Sequence, residues 1–379
     1  MNYRTAVIGT GFIGPVHVEA LRRAGVTVTG ILGSSPAKSI AAAESLHLPR
    51  AYQNLEEILA DAEVDSVHIT SPNQAHFSQA AACLKAGKHA LCEKPLAMNS
   101  AESAQLVALA KQTGLAAGVN YNIRYYPLCI EAAERQRGGG LGNIYHVQGS
   151  YVQDWLFHRS DYNWRVSAAD GGPLRAVADI GTHWLDLMQT IVGSKVQSVM
   201  ADLQIVFPER DRPTGGVETF SSKTDASKPD ATETVKIDTE DAGTILLRFE
   251  CGARGCLHVS QVTAGRKNCL RFDIAGSKQS IAWNSEQPNQ LWVGHRDKPN
   301  ESLIRDPALM HQRAGDFSSY PAGHNEGFSD TFKQLFVDFY SSIKSANPSY
   351  PTFADGHQEI LLCEAILQST QQESWVAVG

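Results

Sequence analysis

A chain of 379 residues is too long for one compact core and predicts two domains. Its 42% hydrophobic and 19% charged residues are ordinary for a globular protein, and its net charge of -7 argues against a nucleic-acid footprint, which needs a basic stripe. No run approaches the ~20 continuous apolar residues of a membrane span, and the chain opens on a core strand and not on a signal peptide, so the cytoplasm is the expected location.

The first predicted element is the apolar run Arg4 to Ile8, which breaks into Gly9-Thr10-Gly11-Phe12-Ile13-Gly14 and continues at helical spacing through Val16, Leu21 and Ala24. Strand, GxGxxG and helix in that order predict a dinucleotide site. Gly9 lets the strand turn tightly, Gly11 lets the backbone approach a pyrophosphate, and Gly14 allows close helix packing. The backbone of Phe12 and Ile13 then offers N–H groups to phosphate at a helix N-terminus.

Val26 to Leu32 reads as the second strand, followed by Gly33-Ser34-Ser35-Pro36, with Ser35 capping a helix that starts at Pro36. An NAD site usually carries Asp or Glu at the end of this strand to bind the ribose 2′-OH. Here Gly33 stands in that place, Ser34 and Ser35 offer hydroxyls, and Lys38 offers a positive charge. This pattern favours NADP, with NAD held by backbone contacts as the alternative.

Further strand–helix units follow. Ser66 to Thr70 runs into Ser71-Pro72-Asn73-Gln74-Ala75-His76, and His89 to Cys92 runs into Glu93-Lys94-Pro95. Alternation of this kind predicts a parallel sheet with its ligand outside the carboxyl ends of the strands, so Gly9, Ser34, Ser71 and Lys94 should share one rim. A helix from Ser100 to Gln112, a strand from Ala116 to Asn120 and the run Tyr121 to Pro127 lead out of a first domain spanning 1–122.

In the second domain, 123–379, strand-like segments follow one another largely without helices: Tyr145 to Val152, Val196 to Val206, Thr244 to Glu250, Cys256 to Val262, Leu270 to Ile274, Ser280 to Trp283 and Gln290 to Val293. This predicts an α+β domain with an open, mostly antiparallel sheet, one face of which is left for another subunit to cover. Phe207 to Thr234 reads as a long loop, and two helices near Glu326 to Ser345 and Asp355 to Gln372 close the chain. The seven scattered cysteines read as reduced core thiols, and no spacing suggests a metal site.

Two groups of residues are suited to chemistry. Lys94, before a proline and at the end of a strand, projects over the rim, where its ammonium stabilises negative charge on a reacting oxygen. Asp179 and His183 lie four apart, and Asp186 three further, so they share one face of a helix or its entry. Histidine exchanges a hydroxyl proton near neutral pH, and a carboxylate beside it sets its tautomer. Trp164-Arg165 either walls the cofactor or packs at the surface, and His324 either faces the pocket or caps a helix. His258, Gln261, Arg266 and Lys267 read as a solvated strand face, and His68 and His89 as core histidines.

The glycine motif, the Thr70 to His76 turn, Glu93-Lys94-Pro95 and the Asp179 to Asp186 segment together resemble the glucose-fructose oxidoreductase / inositol dehydrogenase / rhizopine-catabolism (Gfo/Idh/MocA) family across essentially the whole chain. The resemblance implies a Rossmann domain followed by an open-sheet domain that forms dimers or tetramers. It also implies NAD(P)-dependent oxidation or reduction of a sugar, cyclitol or related polyol. Lys94 would be the catalytic lysine beside a cis Lys-Pro bond, His183 the proton donor or acceptor, and Asp179 a ligand of a substrate hydroxyl. Ser71, Pro72, Asn73, His76, Glu93 and Lys94 would line the cofactor, Arg124, Trp164 and Arg165 the cofactor or the pocket, and Tyr121 and His324 the substrate. A non-catalytic dinucleotide-bound sensor and a redox-assisted glycosidase are the alternative readings.

Overall fold

Strand register builds the first unit of the fold, seen in a computed structural model that describes residues 2–214, 232–345 and 348–379. Six strands, β1 (Arg4–Ile8), β2 (Thr27–Leu32), β3 (Ala51–Tyr52), β4 (Ser66–Ile69), β5 (His89–Cys92) and β6 (Ala117–Val119), form one sheet in the order β3-β2-β1-β4-β5-β6. Every pairing is parallel. This is the doubly wound Rossmann order. β1 is buried from Thr5 onward because both faces of the sheet are covered, which is why it reads as an unbroken apolar run. Around it lie α1 (Ile13–Arg23), α2 (Pro36–Ser45), α3 (Leu55–Ala60), α4 (Asn73–Lys85) and α5 (Ser100–Thr113). Asn99 caps the start of α5, and Gly114, with φ 65°, closes its end in the left-handed conformation that glycine adopts without strain.

The chain divides into two compact units. The first holds the described residues up to Asn122 together with Ser329–Ile360; the second holds those from Ile123 to Phe328 and from Leu361 onward. The sequence reading assigned all of 123–379 to the second domain, whereas Ser329–Ile360 packs with the first. The helix Phe328–Ser342 carries Phe332, Phe336, Phe339 and Tyr340 at three-to-four-residue spacing, and all four are buried. Phe336 lies 4.9 Å from the His17 ring and 4.6 Å from the His68 ring, so this returning helix covers a face of the parallel sheet.

In the second unit, β7 (Ile144–Val152), β8 (Val196–Gln204), β11 (Ala242–Phe249), β12 (Arg254–Ser260), β13 (Cys269–Gly276), β14 (Ser280–Asn284), β15 (Gln290–Gly294), β16 (Glu301–Ile304) and β17 (Val376–Ala377) form a nine-stranded sheet. Its order is β16-β15-β14-β13-β7-β12-β11-β8-β17, antiparallel throughout except for the parallel β7–β12 pair. Trp184, Leu185 and Met188 of the helix Thr182–Val192 pack with Val147, Ile245, Leu257 and Phe272 of the sheet in one core. The opposite face exposes Tyr145, Leu246 and Trp292.

Two expectations change here. Phe207 to Thr234 is not all loop: β9 (Glu209–Pro213) pairs antiparallel with β10 (Thr232–Lys236), and residues 215–231 lie outside the described residues. The polar alternation of a two-stranded ribbon resembles loop composition, and its partner strand is known only once the chain has folded. Cys251 is exposed and Cys256 and Cys363 are half-buried, so only Cys83, Cys92, Cys129 and Cys269 are core thiols. No helix among the described residues is long and apolar enough to cross a membrane.

Candidate functional site

The carboxyl rim of the parallel sheet is set by backbone bonds that step across neighbouring strands. Gly9 N donates to Leu32 O, Thr70 N to Ile8 O, Glu93 N to Ile69 O, and Asn120 N to Cys92 O. Gly33, Gly9, Thr70, Glu93 and Asn120 therefore follow one another along one edge of the first unit. Gly9 has φ 115°, and a Cβ there would sit 2.4 Å from Thr70 Oγ1. A Cβ on Gly14 would sit 2.2 Å from Gly9 O, so both glycines are required by the close turn itself. A Cβ on Gly11 would meet no protein atom within 4 Å, which leaves room over the loop for a ligand. Phe12, half exposed at the N-cap of α1, gives that helix no side-chain cap, whereas Ser35, Asn54 and Asn99 cap α2, α3 and α5. The α1 N-terminus, beginning at Ile13, thus fits a pyrophosphate, by its N–H groups and its dipole.

At the end of β2, Gly33 N donates to Ser39 Oγ at 2.8 Å, and a Cβ on Gly33 would press to 3.0 Å against Lys38 Cβ and Ser39 N. The start of α2 thus packs closely against position 33. Ser35 Oγ accepts from Lys38 N at 3.3 Å, and Ser34 and Lys38 are exposed.

Glu93, Lys94 and Pro95 follow β5, and the Lys94–Pro95 peptide bond is cis. Lys94 is half-buried, and its backbone N–H donates to Glu93 Oε2 at 3.2 Å. Glu93 Oε1 accepts from His17 Nε2 at 2.9 Å and from Asn120 Nδ2. Burial pushes the Glu93 carboxyl up, but the bond and charge of His17, with Asn120 and Lys94, hold it below the usual range. His76, expected at the cofactor, braces this turn. It is 1% exposed, with Nδ1 2.7 Å from Pro95 O and Nε2 2.8 Å from Ser71 O. Its place on the buried side of α4 turns both ring nitrogens toward backbone. Ser71 Oγ donates to Gln79 Oε1 at 2.6 Å, while Pro72 is the N-cap and Asn73 the first residue of α4. Tyr121 is buried in the core of the first unit.

In the second unit, Asp179 lies in a π-helical turn, Val177–Gly181, that runs directly into the helix Thr182–Val192 bearing His183. Wide turns of this kind recur at functional sites. Buried Glu240 holds the turn at its start, accepting from Arg175 N at 2.9 Å and from Val177 N at 2.8 Å. Asp179 Oδ2 accepts from Gln261 Nε2 at 3.0 Å, and Oδ1 lies 3.4 Å from Arg165 Nε. Arg165 stacks over the Trp164 ring at 4.4 Å in a 3-10 turn capped by Asn163. His183 is half-buried, with its ring 6.3 Å from that of Tyr151.

Asp186, expected to extend the Asp179–His183 face, is buried in an ion pair with Arg124, whose Nε donates to Oδ2 at 2.7 Å. Arg124 is the residue whose guanidinium is expected at the cofactor. His324 is exposed, and its Nδ1 turns back to Ala322 O at 3.3 Å. Gln261, read as part of a solvated face, is 2% exposed. It lies just past the end of β12, where strand alternation no longer decides which way a side chain points. His17 was missed as well; its one signal is that it falls in the apolar stripe of α1, three residues after Gly14.

Comparison with known proteins bears on both units. A family model described as an oxidoreductase family with an NAD-binding Rossmann fold matches residues 3–121, and one described as the GFO/IDH/MocA C-terminal domain matches residues 130–282. Levoglucosan dehydrogenase of Pseudarthrobacter phenanthrenivorans is 29% identical over 392 residues, covering 100% of this chain and 98% of that protein. A solved structure of levoglucosan dehydrogenase in complex with NADH and levoglucosan superposes with a TM-score of 0.89 at 27% identity, with full coverage of both chains. That of an inositol dehydrogenase homolog complexed with NAD+ from Azotobacter vinelandii superposes with a TM-score of 0.85 at 25% identity, covering 100% of this chain and 97% of the other.

Proposed function

Because the chain belongs to the Gfo/Idh/MocA oxidoreductase family, we propose that it catalyses reversible oxidation of a secondary alcohol carbon of a sugar, cyclitol or related polyol. A nicotinamide dinucleotide, when bound, supplies the redox chemistry of the hydride. The Gly9–Gly14 loop and the N-terminus of α1 hold its pyrophosphate. Lys94 donates a hydrogen bond to the reacting oxygen and stabilises charge developing there. His183 takes or returns the hydroxyl proton, and Asp179, oriented by Gln261 and Arg165, binds a substrate hydroxyl.

The observation that carries this reading is the backbone register that sets the Glu93–Lys94–Pro95 turn on the same rim as the glycine loop, one strand beyond Thr70. The names of the relatives, levoglucosan and inositol dehydrogenases, support the substrate class. Lys94→Ala should lower kcat on the order of 10²-fold or more while leaving dinucleotide affinity intact. Near-full turnover by that variant would overturn the assignment. Net reduction of the dinucleotide with a sugar panel, followed by absorbance, separates a dehydrogenase from a sensor and from a redox-assisted glycosidase.

For the cofactor, the reading favours NADP. Position 33 carries no carboxylate to repel a 2′-phosphate, and exposed Ser34 and Lys38 suit one. The expected result is a higher kcat/KM with NADPH than with NADH, and a clear NADH preference overturns it. The second unit would supply the substrate contacts and, through the exposed face of its sheet, a homodimer or homotetramer interface.

A further inference from the structure

Behind the Lys94 turn, the interior of the first unit carries a continuous line of polar groups where an apolar core would ordinarily stand. His17 and His68 are both 0% exposed, and their Nδ1 atoms lie 2.9 Å apart. His17 Nε2 is 2.9 Å from Glu93 Oε1, and His68 Nε2 is 2.9 Å from the Tyr340 hydroxyl, which is 2.8 Å from Ser66 Oγ. The members come from α1, β4, the end of β5 and the helix Phe328–Ser342, all within the first unit.

Hydrogen-bond chemistry fixes the end of this line at Glu93. A carboxylate only accepts, so His17 Nε2 carries a proton and donates to Glu93. His17 Nδ1 and His68 Nδ1 share one proton, and His68 Nε2 shares another with the Tyr340 hydroxyl, which also bonds Ser66 Oγ. Every link of the line is thus a hydrogen bond, ending at the Glu93 carboxylate. Burial, with His17 beside it, holds the His68 pKa well below its ordinary value, in keeping with a neutral ring. Such a network adds little net stability over apolar packing, and left incomplete it is costly. At the end of the line, Glu93 Oε2 accepts the backbone N–H of Lys94.

We propose that His17, backed by His68 and Tyr340, is a positioning residue: it orients the Glu93 carboxylate and thereby sets the turn that presents Lys94 on the rim. This rests on the reading of Lys94 given above. It also means that the helix receiving the dinucleotide phosphates and the turn carrying the lysine are joined by one buried hydrogen bond.

The test uses the full chain, with levoglucosan, myo-inositol and a wider sugar panel as substrates, and compares His17→Phe, His17→Gln, Glu93→Gln and Lys94→Ala. His17→Phe should lower kcat about ten- to hundredfold with dinucleotide affinity unchanged, because a fraction of an ångström at the reacting group is enough. His17→Gln, whose amide can still donate to Glu93, should recover most of that loss, and His17→Phe should have no further effect in a Glu93→Gln background. Full turnover by a folded His17→Phe, or equal losses in the Phe and Gln variants, overturns the proposal. If His17→Phe does not fold, Tyr340→Phe decides, since it removes only the hydroxyl at the far end of the line. A lowered kcat at unchanged dinucleotide affinity supports the proposal, and an unchanged kcat overturns it. Retained turnover in Lys94→Ala would instead remove the underlying reading, whatever His17 does.

Discussion

Asp241 carries two buried cations at once. Its Oδ1 is paired with Arg175 and, at 2.6 Å, with Arg210, and its Oδ2 accepts from Val206 N and Phe207 N at 2.8 and 2.9 Å. Arg175 begins the segment that bears Asp179, and Arg210 belongs to β9, so this one carboxylate ties the ribbon to the site in the second unit. Asp241→Ala leaves two guanidinium groups buried without their charge partner, and should lower the unfolding free energy by about 3–5 kcal/mol in urea titration. Burial pushes the Asp241 carboxyl up, but Arg175, the bond from Phe207 N and Arg210 outweigh it and hold its pKa below the usual range. Stability from a lowered carboxyl is present above its unfolded value of about 3.9 and is lost as pH falls through the lower folded value. Acidification below about pH 4 should therefore loosen this cluster, while changes between about pH 5 and 8 leave its contribution intact. None of these partners was legible in the sequence, because Arg175, Arg210 and Asp241 are far apart along the chain and each has the composition of a surface residue.

Elements show the opposite balance. The βα turn at Gly9 was readable because glycine spacing, strand and helix all pointed to one local geometry. The structure adds that its glycines have different duties. Gly11→Ala meets no neighbour, so it should change stability by less than about 0.5 kcal/mol while obstructing dinucleotide binding. Gly14→Ala drives a methyl into Gly9 O and should cost about 1–3 kcal/mol as well as binding. Thermal shift with and without NADP or NAD separates the two, since ligand at about 100 times Kd stabilises the native state by about 2.7 kcal/mol. Equal melting losses for both alanines would contradict this division. The π turn at Val177–Gly181 was not legible, because the fourfold spacing of Asp179 and His183 reads as ordinary helix. Its hold on Glu240 exists only after β11 has docked nearby.

Across the whole molecule, the nine-stranded sheet covers one face with its own helices and leaves the other open. Register places Met200, Leu246, Cys256, Gln148, Asp273, Ala282 and Trp292 in one row across seven strands. Paired residues share a face, and of this row Leu246 is 43% and Trp292 40% exposed. An exposed sheet face that carries Leu246 and Trp292 suits a second copy of the chain. Leu246→Glu with Trp292→Glu should reduce the mass measured by light scattering to that of a single chain, with the melting temperature otherwise little changed. A wild-type protein already of single-chain mass would refute the interface.

Local chemistry by itself determined the glycine turn, most strands of both sheets and the motif residues, because period, glycine placement and capping act over a few residues and need no distant partner. Tertiary structure alone decided what those residues touch: that His76 braces Pro95, that Arg124 is committed to Asp186, that Gln261 turns inward to Asp179, and that a helix from the last sixth of the chain completes the first unit. A buried polar group is defined by its partner, and when that partner lies tens or hundreds of residues away its identity appears only after the chain has folded.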